Sequence, residues 1–595
     1  MVDKLQAARK KCSNPCRCRY VLLYSMVTLL LTSCMLSSPQ QGAASMDTLN
    51  AGTVNSTKTA EARDYPARPF PTQTFYDLLV AEVAGTRGNL ALSLENYRQQ
   101  ARVTKDPGVI ARAVAIATYQ KHNQALQELG HLWLTVEPNN VHARNLGFFA
   151  FIQDGNYTAA FEHALYLLDQ NDSKALISLP SYVTLSSEQE RINLLQLYAA
   201  AEKSRTNNSD LLLGKTRLLA QLGRTDEAIS LAKNILNQQP QHEPTRLTLT
   251  QLLHENQQDK DAIKVLEKGL KYQPESMQLQ LQLIRLVAED NLPLAIQKMT
   301  QLIEQQGGND TLEFALALLH RENDNRPQAR KIYQSFIAKN QQSSQAHYQL
   351  AMMDEQDHLL ESALAHYYHV TDNTFFLPAT VRLTQILTAL DRLNDARLYL
   401  HTLRGDLPSQ STTFYLLESE LLTHEQRHQS AQALMNEALA QRPSDIDLLY
   451  NRSMINEKLG NLDAVESDLR AILQQDANNV SALNALGYTL ANGTERYDEA
   501  LELIQHAIRI KPNDPAIRDS LGWVLFKRGD YAEAIVQLRA AMSSMPDPEV
   551  AAHLGEALWT TGAEAEARAI WQGALDKAPR SPFLLDTLKR LSIEL

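Results

Sequence analysis

DPAIRDSLGWVLFKRGDYAEAIVQLRAAMSSMP, residues 514–546, contains two helical stretches joined by a short turn at Gly529-Asp530. Leu521-Gly522 is followed by Tyr531, Ala534, Leu538, Ala541 and Pro546. The next stretch places Leu554-Gly555, Ala567, Trp571, Ala574 and Pro579 at the same offsets. The preceding one has Leu486-Gly487, Tyr497, Ala500, Ile504, Ala507 and Pro512, with one extra residue in its turn. The spacing has a physical reason. Gly522 and Ala534 fall where two helices cross, and small residues let the backbones approach. Leu521 and Leu538 fill the space between neighbouring units. The proline ends the second helix, because it cannot donate the intrahelical hydrogen bond.

Outward from this stretch, Pro138, Pro240, Pro274, Pro443, Pro512, Pro546 and Pro579 are separated by 102, 34, 169, 69, 34 and 33 residues, close to multiples of 34. A 34-residue helix–turn–helix unit resembles the tetratricopeptide (TPR) repeat. Weaker copies keep the frame, including Gly223 with Ala228 and Pro240, and Ala431 with Ala438 and Pro443. Counting frames back to Pro138 predicts up to about 14 units, of which 11 to 14 are recognisable, with a further helix pair at about 73–104. Frames near 172–206 and 375–409 are degenerate. The expected fold is all-α, a TPR helix–turn–helix solenoid coiled into a right-handed superhelix. Composition agrees. A chain of 595 residues is too long for one core, and 22 Gly, 4 Cys and 6% aromatics argue against disulfide scaffolds, collagen-like chains and β-sandwiches.

The amino terminus reads as an address. Lys4, Arg9, Lys10, Lys11, Arg17 and Arg19 precede an apolar run from Tyr20 to Leu31. That run is shorter than the ~20 residues of a comfortable membrane span and suits a signal-peptide core. It ends in Leu31-Thr32-Ser33-Cys34, which resembles the bacterial lipobox, where the cysteine thiol receives diacylglycerol and palmitate-type acyl chains. Met35 rather than Asp after the cysteine implies, by that resemblance, the outer membrane facing the periplasm of a Gram-negative cell. Residues 1–33 are then a signal peptide, 34–72 a lipidated flexible linker spanning about 35 Å, 73–137 amino-terminal helical repeats and 138–595 the TPR solenoid. Cleavage removes Cys12, Cys16 and Cys18, six basic residues and Asp3, so the net charge of −11 becomes −16. Such a balance disfavours nucleic acid as a partner.

Two motifs bear on chemistry. His424-Glu425-Gln426-Arg427-His428 satisfies H-E-x-x-H, the zinc-protease helix motif. In the repeat frame, however, Gln426 to His428 occupy the turn that Gly529 to Tyr531 occupy later, so the histidines straddle a helix boundary and the match reads as coincidence. His366 and His369 stand three apart beside Tyr367 and Tyr368, with no third ligand apparent, and read as partly exposed packing residues. No glycine-rich phosphate loop or G-x-S-x-G elbow is present. The reading is a non-enzyme with no cofactor and no metal.

The segments FYDLLVAEVAGTRGNLALSLENYRQQARVTKDPGVIARAVAIA, LLYNRSMINEKLGNLDAVESDLRAI, SALNALGYTLAN, DSLGWV and VAAHLGEALW resemble the LbcA-type TPR lipoproteins. The resemblance runs from about Phe75 to the carboxy terminus and is weakest around residues 170–210. It implies an adaptor that binds a periplasmic carboxy-terminal processing protease and presents envelope clients, chiefly peptidoglycan hydrolases, for proteolysis. The alternative is a TPR scaffold lipoprotein for polysaccharide export or envelope assembly. For protease docking the candidates are Phe75, Leu78, Leu79 and Val83, an apolar stripe on the first helix, which could instead be a cap buried on the next unit. For the client groove they are Tyr450, Asn484, Tyr488, Asp519 and Trp523, which lie three before or one after Ser453, Gly487 and Gly522. Tyr488 and Trp523 could equally pack between adjacent units.

Overall fold

The computed structural model describes residues 71–595. Among these are 31 α-helices, one short 3-10 turn and no strand. Fifteen helix pairs run from Thr72–Thr86 with Leu90–Thr104 to Pro548–Thr560 with Glu564–Leu575, and the single helix Pro582–Leu591 follows them. Most helices pack on their sequence neighbours, several first helices also touch the first helix of the next pair, and the last helix, Pro582–Leu591, packs on Pro548–Thr560. This is the all-α solenoid that the 34-residue period predicts. The expected signal peptide, Cys34 and the expected linker as far as residue 70 lie outside the described residues.

The crossing of two helices explains the small residues. A methyl group on Gly522 would meet Leu538 Cγ at 2.5 Å and the Ala534 carbonyl oxygen at 3.1 Å. Gly487 stands in the same relation to Ile504 and Ala500, and Gly555 to Trp571. Ala534, Leu538, Ala541, Ala500, Ile504, Ala567 and Trp571 are all buried. Between the two helices the chain turns through a left-handed residue. Gly529 takes that place at φ 96°, where the absence of a Cβ removes the steric cost.

The chain divides into two compact units, Met1–Ile332 and Tyr333–Leu595, the boundary falling within the helix Arg326–Ala338. In the first, one apolar core gathers Ala81 to Ala143 and a second gathers Phe148 to Leu319. In the second, the cores gather Ala351 to Ala534 and Leu538 to Leu588. The two degenerate frames are irregular in structure too. The helix Lys174–Tyr182 has only 9 residues and carries Pro180, while Asn373–Ala389 has 17 and carries Pro378. In the first of these the packing is repaired by Tyr198, fully buried against Gly214, with its hydroxyl donating to the Leu176 carbonyl at 2.6 Å.

Candidate functional site

The first helix, Thr72–Thr86, is attached by small and polar residues together with Leu78. Thr74, Ala81 and Ala84 are buried. Gln100 donates to Asp77 at 2.7 Å, and Arg112 grips Glu82 with two bonds of 3.0 Å. That guanidinium, with help from the Tyr97 hydroxyl, holds the Glu82 carboxyl below its ordinary range. Of the four stripe residues, Leu78 packs against the core. Phe75, Leu79 and Val83 are 62%, 52% and 41% exposed, and Tyr76 beside them is 61% exposed. Spaced four apart, Phe75, Leu79 and Val83 make one ridge on the outer face. Sequence reasoning missed Tyr76, which stands next to Phe75 on the same turn. Its signal was simply its place beside an apolar residue of the stripe.

The five groove candidates divide differently. Tyr450, Asn484 and Tyr488 are half-buried, on the helices Ile446–Lys458 and Val480–Gly493. Asp519 and Trp523, on Pro515–Arg528, are only 6% and 5% exposed. Their expected view into an open concavity is therefore corrected: both are interior. The reason is His553 on the following first helix, Pro548–Thr560. Its Nδ1 meets the Asp519 carboxylate at 3.0 Å, and its ring stacks on Trp523 with centroids 4.2 Å apart. Phe526 stacks on the same indole at 5.2 Å. Tyr488 donates to Glu549 Oε1 at 2.9 Å, a bond that reaches across two repeats. Burial pushes the Glu549 carboxyl up, and raises the Tyr488 hydroxyl as well. Asn484 Oδ1 and Trp523 Nε1 are buried without a hydrogen-bond partner. Glu549 and His553 had no sequence signal beyond their place six and two residues before Gly555.

The histidine motifs resolve by geometry. His424 ends the helix Ser411–His424 and His428 opens His428–Gln441, with Gln426 left-handed at φ 58° between them. The two imidazoles share no helix face, so the H-E-x-x-H match lacks the arrangement its chemistry needs. His254 stands between two carboxylates, Nδ1 at 2.6 Å from Asp259 and Nε2 at 3.8 Å from Glu289. Both ring nitrogens face carboxylate oxygens. His347, His366 and His369 come together at another turn, with His347 Nδ1 and His366 Nδ1 2.9 Å apart. Burial, with the two neighbouring imidazoles, pulls the His347 pKa down to about 4.

Comparison with known proteins bears on what such a scaffold is. Two profiles described as tetratricopeptide repeat match residues 219–284 with 490–553, and 457–515. Across 489 residues the chain is 36% identical to the TPR repeat-containing protein PA4667 of Pseudomonas aeruginosa, covering 82% of each. The chain belongs to that family of TPR repeat-containing proteins. A more distant similarity, 25% over 170 residues, reaches the human protein O-mannosyl-transferase TMTC1 and covers 28% of this chain and 19% of that one. Among solved structures, Naa15/Naa10 bound to HypK-THB is 17% identical, with 70% of each chain covered and a TM-score of 0.32. As a TPR repeat-containing protein, the chain is a scaffold for protein–protein interaction. The outer ridge of the first helix and the half-buried polar row of Tyr450, Asn484 and Tyr488 are its candidate contact surfaces.

Proposed function

We propose that this TPR protein is a lipid-anchored adaptor, acylated at Cys34 and held at the outer membrane, that recruits a periplasmic carboxy-terminal processing protease and presents envelope proteins such as peptidoglycan hydrolases to it. The observation that carries the reading is the ridge of Phe75, Leu79 and Val83 with Tyr76. These large apolar side chains face solvent on a helix whose other face is already satisfied. Burying such a ridge gains roughly 25 cal/mol per Å² only when a partner covers it. Its place near the amino terminus supports docking close to the proposed tether. Tethering confines adaptor and clients to one surface and raises their effective concentration without new contacts.

The test is capture from detergent-solubilised envelopes with the full chain as bait. The reading expects a serine protease together with cell-wall hydrolases, and loss of the protease alone on deletion of residues 73–86. A polysaccharide-secretion channel in place of the protease supports the scaffold alternative and overturns this one. Replacing Cys34 by Ala leaves a bait that still binds the protease in vitro and supports little client turnover in cells.

A further inference from the structure

Around Tyr488 the carboxy-terminal repeats gather negative charge that their own side chains leave largely unanswered. Glu549, from the helix Pro548–Thr560, accepts from the Tyr488 hydroxyl at 2.9 Å. Asp519 comes from Pro515–Arg528 and Glu457 from Ile446–Lys458. Burial first, and then these three carboxylates, hold the Tyr488 hydroxyl above its ordinary range. Burial and the Glu457 charge do the same to Tyr450. Asp519 is answered by His553 at 3.0 Å. Among the described residues, however, Glu457 forms no hydrogen bond or ion pair, and Glu549 pairs with no lysine or arginine. Asn484, one turn before Tyr488 on Val480–Gly493, has its Oδ1 buried without a hydrogen-bond partner. Glu457, Glu549 and Asn484 are thus acceptors short of a donor.

We infer that Tyr450, Glu457, Asn484, Tyr488 and Glu549 form a recognition site for a lysine or arginine side chain of a bound polypeptide. The inference rests on the adaptor reading above and names the chemistry by which the carboxy-terminal repeats hold a client. All five residues are half-buried, so a long side chain can meet them where water is partly excluded.

The chemistry of the unmet groups selects the occupant. Ammonium and guanidinium groups only donate, and they bring several N–H bonds together with a positive charge. One such group answers the two carboxylates and the amide oxygen at once, whereas a neutral or acidic side chain leaves the carboxylates uncompensated. The phenol rings attract a cation through their faces. The apolar stem of lysine or arginine can lie along Tyr450 and Met454. Met454 is 39% exposed and stands between Tyr450 and Glu457 at helical spacing. Lys527 shows the aromatic part of this arrangement within the chain, its Nζ lying 5.7 Å from the centre of the Trp523 ring.

Calorimetric titration of the full chain with a blocked peptide of alternating lysine and alanine tests the site, beside the same peptide with glutamate for lysine. Saturable binding of the lysine peptide is expected, and none of the glutamate peptide. Glu457→Gln and Glu549→Gln keep the shape and remove the charge. Each should weaken binding by at least about tenfold, as loss of one member of a desolvated charge pair does. Glu533→Gln, exposed on the second helix Tyr531–Ser544, should leave it unchanged. The whole chain is acidic, so equal binding by the chain carrying both Glu457→Gln and Glu549→Gln would mean diffuse attraction and overturn the proposal. Absence of saturable binding overturns it too. Hydrogen exchange of the parent chain locates the peptide without any substitution. Protection should fall on residues 446–458, 480–493 and 548–560, and protection confined to other repeats counts against the site. The doubly substituted chain keeps its first-helix ridge and should still capture the protease. If neither chain captures it, the adaptor reading fails, while the peptide titration still decides this site.

Discussion

Two aromatic-rich regions of this TPR protein carry the same kind of sequence signal and end in opposite environments. On the first helix, Phe75, Leu79 and Val83 project into solvent while small residues and an Arg112–Glu82 pair attach the helix. Near the carboxy terminus, Trp523 and Asp519 are enclosed by His553 from the next repeat. Helical spacing identifies a face in both cases. What covers that face is decided by a residue one or more repeats away, and the first helix has no preceding repeat among the described residues to cover it. Apolar spacing at the start of the array therefore points to a contact surface, and the same spacing deep in the array points to core.

Stability measurements sharpen this contrast. Trp523→Ala should bring the largest loss, about 3–5 kcal/mol, because it removes a buried indole stacked between two rings. Denaturant unfolding of the carboxy-terminal repeats measures it, and a near-neutral result would reopen the indole as a groove residue. Gly522→Val should cost less, about 1–3 kcal/mol, through overpacking against Leu538 and the Ala534 carbonyl.

Glu549 comes next, with an effect that depends on pH. Burial raises its pKa above the ordinary 4.5, so between that value and the raised one the folded chain holds a proton that the unfolded chain has released. Its contribution is fully present below pH 4.5 and is lost as the pH rises through the folded pKa. Glu549→Gln should therefore flatten this part of the pH–stability curve. An unchanged slope would show that Glu549 is better solvated than its position implies. Smallest of all should be the effect on stability of Phe75→Ser with Leu79→Ser, within about 0.5 kcal/mol for each substitution, as expected where side chains already face water.

The repeat was legible because its determinants recur. Glycine or alanine at a helix crossing and proline beyond the second helix stand at one spacing in copy after copy, and each follows from backbone sterics. Compensated exceptions were not legible. Arg246 is almost fully buried, filling the space beside Gly269 and donating to the Val265 and Pro240 carbonyls at 2.7 and 2.6 Å. Nothing in the spacing of one repeat announces such an exchange of large for small between neighbours. The candidate sites were legible to the same degree. The stripe was visible, but Leu78 had to be told from Phe75, Leu79 and Val83 by knowing which side meets the second helix. The pairing of His553 with Asp519 spans 34 residues, one full repeat, and only stacking of the repeats brings it about.

In the proposed adaptor, the exposed apolar ridge of the first helix is the surface that binds the protease. The direct measurement is the affinity of the purified protease for the full chain and for its Phe75→Ser, Leu79→Ser variant, taken beside their unfolding curves. Binding should be abolished or weakened more than about a hundredfold, since two hot-spot side chains each contribute about 2 kcal/mol or more, while the unfolding curves superimpose. Binding of equal strength by the two proteins would contradict it.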